Sequence, residues 1–512
     1  MRYFRLPLSL VILGLAALVF PKCDSSTLES LYKTGRQIRA LKGHDAARPL
    51  YEEILSRNRK DHTAAARIAR HPDSIYRHSK LGAAGTLAQQ LDFTARLQKF
   101  NYTPSAIADL VFPQNPEKAK SSSAPLYLQP LRAGAPAPPL PTCSLSTCIQ
   151  LFLLAVCLPV EVCQKYLGKE LVGILQTLGV AYKDNDGWLV PYCHVMPIAS
   201  VNKTLYLATD LHPNVLSTTM IGGNEGAVMY IGPDSLALLD HWNSKQYLSS
   251  GSHIVDIGTG SGVQALSMAS NCNLGEVDVT CVDINPRALR LARLNFRWNG
   301  MKEPRLVIGD IQAPVAKLYS EDKRTLSWQE ALEHPDMILA NPPFLPVPIQ
   351  DAEISKRYGW FSSGGASGDA VLHRIITLAS ETLSTSSGKL AIVSEFMNPR
   401  SEFPQRLQEW WGNAGSAKAF LFTNEHAMGA ETYAERRADS TAEIERWKKH
   451  LESEKITHIS PGLLFLKMTS VKGDRTLEFS HFLVPKTSQG SIWTPTNRDA
   501  REYTQNIVNY HW

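Results

Sequence analysis

The sequence predicts an α/β chain built on a doubly wound, mostly parallel sheet of seven strands, preceded by a small winged-helix-like module and an N-terminal helical extension. Two observations carry this prediction. From Ser252 onward, short apolar runs alternate with amphipathic stretches, which is the rhythm of strand–helix–strand units that bury a parallel sheet. Upstream, three short helical stretches precede two short strand-like runs around a strong turn sequence, the composition of a winged helix.

Each element can be placed in order. In the sheet, strands are expected at His253–Ile257, Val277–Val282, Arg305–Ile308, Met337–Ala340, Leu390–Ser394 and Lys418–Phe422. The run Gly462–Thr469 is expected as a late antiparallel strand. Helices are expected at Val263–Ser270 and Arg287–Trp298, where apolar residues recur at helical spacing. Residues 424–455 are polar and read as an insertion with helices at Glu431–Arg437 and Ile444–Leu451. In the upstream module, Cys148–Val156, Val160–Leu167 and Leu171–Leu178 read as helices, and Val180–Pro197 reads as a hairpin turning at Asp184–Gly187.

These elements divide the chain into a signal or anchor segment (1–22), a helical extension (23–112), a Pro/Ala/Ser linker (113–142), the winged-helix-like module (143–204), the catalytic domain (205–485) and a C-terminal tail (486–512). Arg2 and Arg5 precede the apolar run Leu6–Phe20, a charged region followed by a short apolar one. This points to ER entry, a membrane or an organelle, although Phe20-Pro21-Lys22-Cys23 makes a poor cleavage site. A misassigned start codon would instead leave a cytoplasmic chain. Within 41–70, Ala47, Tyr51, Ile54 and Leu55 share one helical face, and two helices are expected around Asn58–Asp61, an extension able to contact a partner. The linker cannot pack a core.

Composition is that of an ordinary globular chain: 44% hydrophobic, 20% charged, net charge +5 over 512 residues. So small a charge permits a nucleic-acid or acidic partner without arguing for one. The eight cysteines form no Cys-x-x-Cys pair and no His pair completes a metal site, so no metal is expected and the thiols read as free or buried.

The strongest local signal is Ile254-Val255-Asp256-Ile257-Gly258-Thr259-Gly260-Ser261-Gly262. An apolar strand ends at a carboxylate, turns through glycines and enters a helix. The glycines let the backbone approach a ligand, and the helix N-terminus offers free N–H groups and positive potential to a carboxylate. A dinucleotide fingerprint would need glycine at 263, but Val263 stands there. Asp283 ends the next strand, where a carboxylate accepts ribose hydroxyls; Asp283 or Asn285 also suits a cap before Pro286. Asp310 follows a third strand, and Asn341-Pro342-Pro343-Phe344 follows a fourth. The two prolines stiffen that last turn, so an amide oxygen and a backbone carbonyl can face one point.

In this order, the four motifs resemble those of the methyltransferase small-domain superfamily, whose members are class I, Rossmann-like enzymes dependent on S-adenosylmethionine (SAM). That group includes release-factor glutamine methyltransferases and base N-methyltransferases. The resemblance extends to bacterial enzymes with a winged N-terminal domain, through Tyr230–Ser235 before the glycine turn and Tyr358 with Gly364–Asp369 after the proline turn. It covers about residues 145–485. It implies SAM as cofactor, held by Asp256, Gly258, Thr259, Gly260 and Gly262, by Asp283 and Ile284, by Asp310 and Ile311 at the adenine, and by Asn341. It implies Asn341, Pro342 and Phe344 as catalytic residues acting on a planar nitrogen: Asn341 and the Pro342 carbonyl accept its two N–H bonds, and Phe344 stacks on the substrate. The glutamine enzymes typically carry Tyr where this chain has Phe344, which loosens the substrate assignment.

Three functions compete. The favoured one is N-methylation of a glutamine amide in a protein, such as a translation factor. The second is methylation of an exocyclic base amine in RNA or DNA; the lack of a basic run tilts against it. The third is an inactive SAM-binding scaffold, against which Asp256, Asp283 and Asn341 argue. Trp410 and Trp411 read as core rather than as a stacking platform, His373 receives no role, and Gly364–Asp369 reads equally as a substrate-side loop or a surface turn. Asn101-Tyr102-Thr103 and Asn202-Lys203-Thr204 fit glycosylation sequons, which matter only on ER entry.

Overall fold

A computed structural model describes residues 31, 44–57, 85–111, 142–185, 187–200, 203–211, 227–241, 248–272, 277–320, 324–355, 358, 361–384, 388–412, 415–470, 476–484, 491–493 and 498–511. The expected signal or anchor segment, the second helix of 41–70 and nearly all of the linker lie outside these residues. Among the described residues, no helix is long and apolar enough to cross a membrane.

The sixteen strands among the described residues are numbered in chain order. The catalytic sheet uses β6 (His253–Ile257), β7 (Asp278–Asp283), β8 (Arg305–Ile308), β9 (Val315–Leu318), β10 (Thr325–Ser327), β11 (Met337–Ala340), β12 (Lys389–Met397), β13 (Ser416–Asn424), β14 (Met428–Gly429), β15 (His458–Ser470) and β16 (Leu477–Val484). Their order is β10-β9-β8-β7-β6-β11-β12-β15-β13-β16, with β14 paired to β15. The seven strands expected from the sequence form its centre. β6 pairs in parallel with both β7 and β11, and β15 lies antiparallel between β12 and β13. The strands β9, β10, β14 and β16 extend the expected sheet; each is short or polar on alternate positions, so no continuous apolar run announces it.

The central strands are apolar on both faces because helices cover both. Along β6, Ile254 packs into one core layer, while Val255 and Ile257 pack into the other. Along β11, Leu339 joins the first layer, and Ile338 and Ala340 the second. Strand order runs outward from β6 through β7 and β8 on one side and from β11 through β12 on the other. The crevice at this reversal, beyond the carboxyl ends of the strands, is where such sheets bind ligands.

The upstream module has the helices Ser144–Cys148, Val160–Leu167 and Lys169–Thr177 and a sheet of β1 (Leu158–Pro159), β2 (Ala181–Lys183) and β3 (Trp188–Pro191) in the order β1-β3-β2. The turn opens at Asp184, whose Oδ1 accepts the Trp188 N–H at 2.7 Å. The helix expected over Cys148–Val156 is instead a π-turn at Ile149–Leu153, stopped where Ala155 adopts φ 51°. There Leu154 donates to Ile149 and Val156 to Gln150, and a buried His194 ring pairs with the Phe152 carbonyl, so packing against the strand Cys193–Ala199 takes precedence over α-helical propensity.

Strands β4 (Cys193–Ala199) and β5 (Thr204–Asp210) form a hairpin that straddles the expected boundary at 204/205. The side-chain amides of Asn295 and Asn299 bond to the backbone of β5, which locks the hairpin to the helix Pro286–Trp298. The extension's helix Leu87–Lys99 packs on that same helix: the Phe93 and Trp298 ring centroids are 4.8 Å apart. The expected C-terminal tail contains a helix, Arg498–His511, that contacts the helix Pro233–His241.

Candidate active site

The site is assembled from the ends of four strands. After β6, Gly258, Gly260 and Gly262 take φ of 71°, 53° and 76°, conformations that side chains resist. The N–H groups of Gly258 and Thr259 both donate to Val282 O at the end of β7. Asp256 is buried, and its Oδ2 accepts the Thr259 hydroxyl at 2.9 Å and the Ala265 N–H at 3.3 Å. This carboxylate therefore ties the turn to the helix Val263–Asn271; burial pushes its pKa up to about 7.

At the end of β7, Asp283 Oδ2 accepts the Gly260 N–H at 2.9 Å and Oδ1 accepts the Asn285 N–H at 2.8 Å. The helix cap is Asn285, whose side chain accepts the Arg287 N–H. Asp283 is half-buried at the rim, and burial raises it to about 6. Beyond β8, the exposed Asp310 holds its own turn through Gln312 N–H at 2.9 Å. Beside these acids, Ile284 is 42% exposed and Ile311 is 8% exposed.

After β11 stands Asn341, whose Nδ2 donates to Asp234 Oδ2 at 3.0 Å. A carboxylate only accepts, so this bond fixes the amide with its NH₂ on Asp234 and leaves Oδ1 as the acceptor end. Asp234 is buried at the start of the helix Pro233–His241, and burial raises its pKa against the lowering effect of the Asn341 bond. The preceding Gly232 matters here: a Cβ at that position would sit 2.5 Å from Asp234 Oδ1.

The proline turn is braced by the loop 361–369. Leu345 N–H donates to Ser362 O, Gly364 N–H to Leu345 O and Val347 N–H to Gly365 O. Gly368, at φ 80°, would place a Cβ 2.9 Å from Phe344 O, and Gly364 one 2.9 Å from Phe344 Cα. The Gly364–Asp369 loop is thus the splint of the proline turn, and Gly365 also lines the cavity.

One cavity of about 530 Å³ joins these parts. Its walls include Asp256, Gly258, Thr259, Gly260, Asp283, Ile284, Asp310, Ile311, Asn341 and Pro342. Gly262 is not among the lining residues, and a Cβ at that position would sit 3.1 Å from Ala292 Cβ. Phe344 lies off the cavity: its ring is 5.4 Å from that of Trp493. The aromatic residues that do line it are Tyr230, Tyr358 and Phe361. Tyr358 is held by Trp447 of the insertion, at 5.8 Å. Trp411 is buried, as read from the sequence, and Trp410 stacks on His373 at 4.9 Å.

Residues 231–357 match the family model of the methyltransferase small domain. That stretch carries the methyltransferase small domain. A ribosomal protein L11 methyltransferase from Exiguobacterium is 32% identical over 94 residues, covering 15% of this chain and 29% of that protein. The chain thus spans under a third of that relative's length. Among solved structures, an rRNA methylase from Streptococcus thermophilus is 13% identical, covering 47% of this chain and 99% of that one, with a TM-score of 0.25. A phosphoethanolamine N-methyltransferase from Haemonchus contortus, in complex with S-adenosylhomocysteine, is 12% identical, covering 46% and 52%, with a TM-score of 0.25. The fold rests on the strand order described above and not on these likenesses.

SAM is the cofactor of this methyltransferase family, and the cavity suits it. The positive-φ glycines leave backbone bare at the floor, Asp283 offers carboxylate lone pairs beyond its bonds to the Gly260 and Asn285 N–H groups, and Ile284 and Ile311 add apolar surface to the wall. Phe361 and Trp493 were not picked out in the sequence, and Tyr358 and Asp234 entered only through the resemblance, Asp234 within Tyr230–Ser235 and without a role of its own. The Gly232-Pro233-Asp234 run marks only a helix start; nothing local tells that Asp234 meets an amide 107 residues away.

Proposed function

We propose that this chain is a SAM-dependent N-methyltransferase acting on a planar nitrogen, and that its substrate is the side-chain amide of a glutamine in a protein. The observation that carries this reading is the Asp234–Asn341 hydrogen bond, which aims an amide oxygen at the cavity instead of an NH₂. Bound SAM supplies an electrophilic methyl group. Asn341 Oδ1 and the Pro342 carbonyl accept the two N–H bonds of the substrate NH₂. That arrangement holds the nitrogen lone pair toward the methyl group, and positioning with fixed dipoles provides the acceleration. Asp234 keeps Asn341 from rotating into the orientation that would repel the substrate's hydrogens.

The choice of an amide over a base rests on Phe344. Its ring packs against Trp493 and leaves the cavity wall, so the residue best placed to stack a base does not do so. A small amide needs no such platform. The name of the 32%-identical relative specifies a ribosomal protein as its substrate, in keeping with a protein target. A base remains the second reading because Tyr358 and Phe361 line the cavity and offer other stacking faces.

The test is to incubate the purified full-length chain with methyl-labelled SAM and a cell extract. Label that survives nuclease and disappears with protease, and is recovered as N5-methylglutamine after enzymatic digestion, is expected. Label lost to nuclease would replace the amide reading with the base reading, and no labelling above a cofactor-only control would remove both.

A further inference from the structure

The helix Val263–Asn271 begins directly at Gly262, with no side-chain cap on its first turn. Its second residue, Gln264, is 3% exposed and lines the cavity. Neither its Oε1 nor its Nε2 has a hydrogen-bond partner. The contrast with Asp256 is sharp: that carboxylate, equally buried beneath the same turn, is bonded to Thr259 and Ala265.

An amide buried without partners forfeits the hydration of a donor and an acceptor together, and a leucine of similar size would avoid the loss. The loss is recovered if a ligand brings one acceptor and one donor side by side. The helix N-terminus around Gln264 adds free N–H groups and positive potential, which select a negative group. A carboxylate beside an ammonium meets all three conditions, and an α-amino acid carries that pair on one carbon.

We propose that Gln264 binds the α-amino-acid end of the cofactor, with Nε2 donating to the carboxylate and Oε1 accepting from the ammonium. This rests on the methyltransferase reading of the cavity. Gln264 is a binding residue kept at the expense of the stability of the ligand-free chain.

The test compares S-adenosylhomocysteine, which carries the amino-acid end, with 5′-methylthioadenosine, which lacks it. Both are titrated calorimetrically into the full-length chain, its Gln264→Leu variant and a Ser267→Ala control. Ser267 lies on the same helix, equally buried and without a hydroxyl partner, but off the cavity wall. Gln264→Leu should weaken S-adenosylhomocysteine by about tenfold or more, as expected for loss of bonds to charged groups. It should leave methylthioadenosine unchanged and raise the unfolding temperature of the ligand-free chain. Ser267→Ala should change neither affinity. Gln264→Glu, which keeps the shape and repels a carboxylate, gives the same selective loss if the leucine variant misfolds. Equal affinity for S-adenosylhomocysteine, or an equal loss for both nucleosides, overturns the proposal. If the unsubstituted chain binds neither nucleoside, the methyltransferase reading falls and the role of Gln264 falls with it.

Discussion

Replacing Asn341 with alanine should lower turnover by about 10²–10³-fold, the range for removing one preorganised polar group from a transition state, while leaving SAM affinity within about twofold of the native value. The expectation follows from where Asn341 stands. Its backbone lies at the end of β11, fixed by pairing of Ala340 with Ile257 and Ile392. Its side chain is held by Asp234 at 3.0 Å, so its oxygen meets the substrate without reorganising. Asp234→Ala should reproduce part of the loss with Asn341 still present, because the freed amide can then turn its NH₂ toward the substrate. Single-turnover rates measured beside cofactor titrations separate the two effects. A variant at Asn341 that turns over at the native rate would remove it from the chemistry, and a variant that loses the cofactor equally would make it a cofactor residue.

The second large effect concerns stability. Asp210, at the end of β5, and Arg287, on the first turn of the helix Pro286–Trp298, form a salt bridge with 2% and 7% of their side chains exposed. Arg287 Nε donates to Asp210 Oδ2 at 2.9 Å, and the same carboxylate oxygen accepts the Val228 N–H at 2.8 Å. Ala227 and Val228 form one wall of the cavity. One buried pair therefore ties the β4–β5 hairpin, the helix that follows Asp283 and the cavity wall together. Arg287→Ala leaves a buried carboxylate uncompensated and should cost about 3–5 kcal/mol of unfolding free energy. Replacing both members by apolar residues of similar size should cost markedly less than either single change, because no bare charge remains. Urea unfolding of the single and double variants decides this: additive losses would show that the pair acts through packing alone.

Much of the site was legible in the sequence because its pieces are local. A strand that runs through Asp256 and then turns through Gly258, Gly260 and Gly262 must leave that carboxylate and bare backbone at the strand's carboxyl end, and the structure places them there, in the middle of the sheet. The strands β6, β8 and β11 lie where their apolar runs begin and end, since strands buried on both faces have little freedom to vary their pattern. What escaped the sequence is long-range. The partner of Asn341 lies 107 residues away, and Phe344 looked free to stack on a substrate until Trp493, 5.4 Å off, claimed its ring. The expected tail hid this contact because a tryptophan next to turn residues carries no sign of what it packs on. The boundary drawn at 204/205 lies inside the β4–β5 hairpin for a related reason: Asn295 and Asn299, about 90 residues further on, hold a helix against β5 through its backbone.

The most direct test of the account is calorimetric titration of S-adenosylhomocysteine into the full-length chain at pH 8 and at pH 5. In the proposed site the ribose hydroxyls donate to Asp283, so binding would favour its ionised form. Burial holds that group at about 6 in the ligand-free chain, and affinity should therefore fall as pH drops through that value, by up to about tenfold per pH unit below it. The account predicts one saturable site at pH 8, a clearly weaker one at pH 5, and little of that difference in an Asp283→Asn variant, apart from any contribution of Asp256. No saturable binding at pH 8, or the same affinity with Asp283 and with alanine in its place, would contradict it.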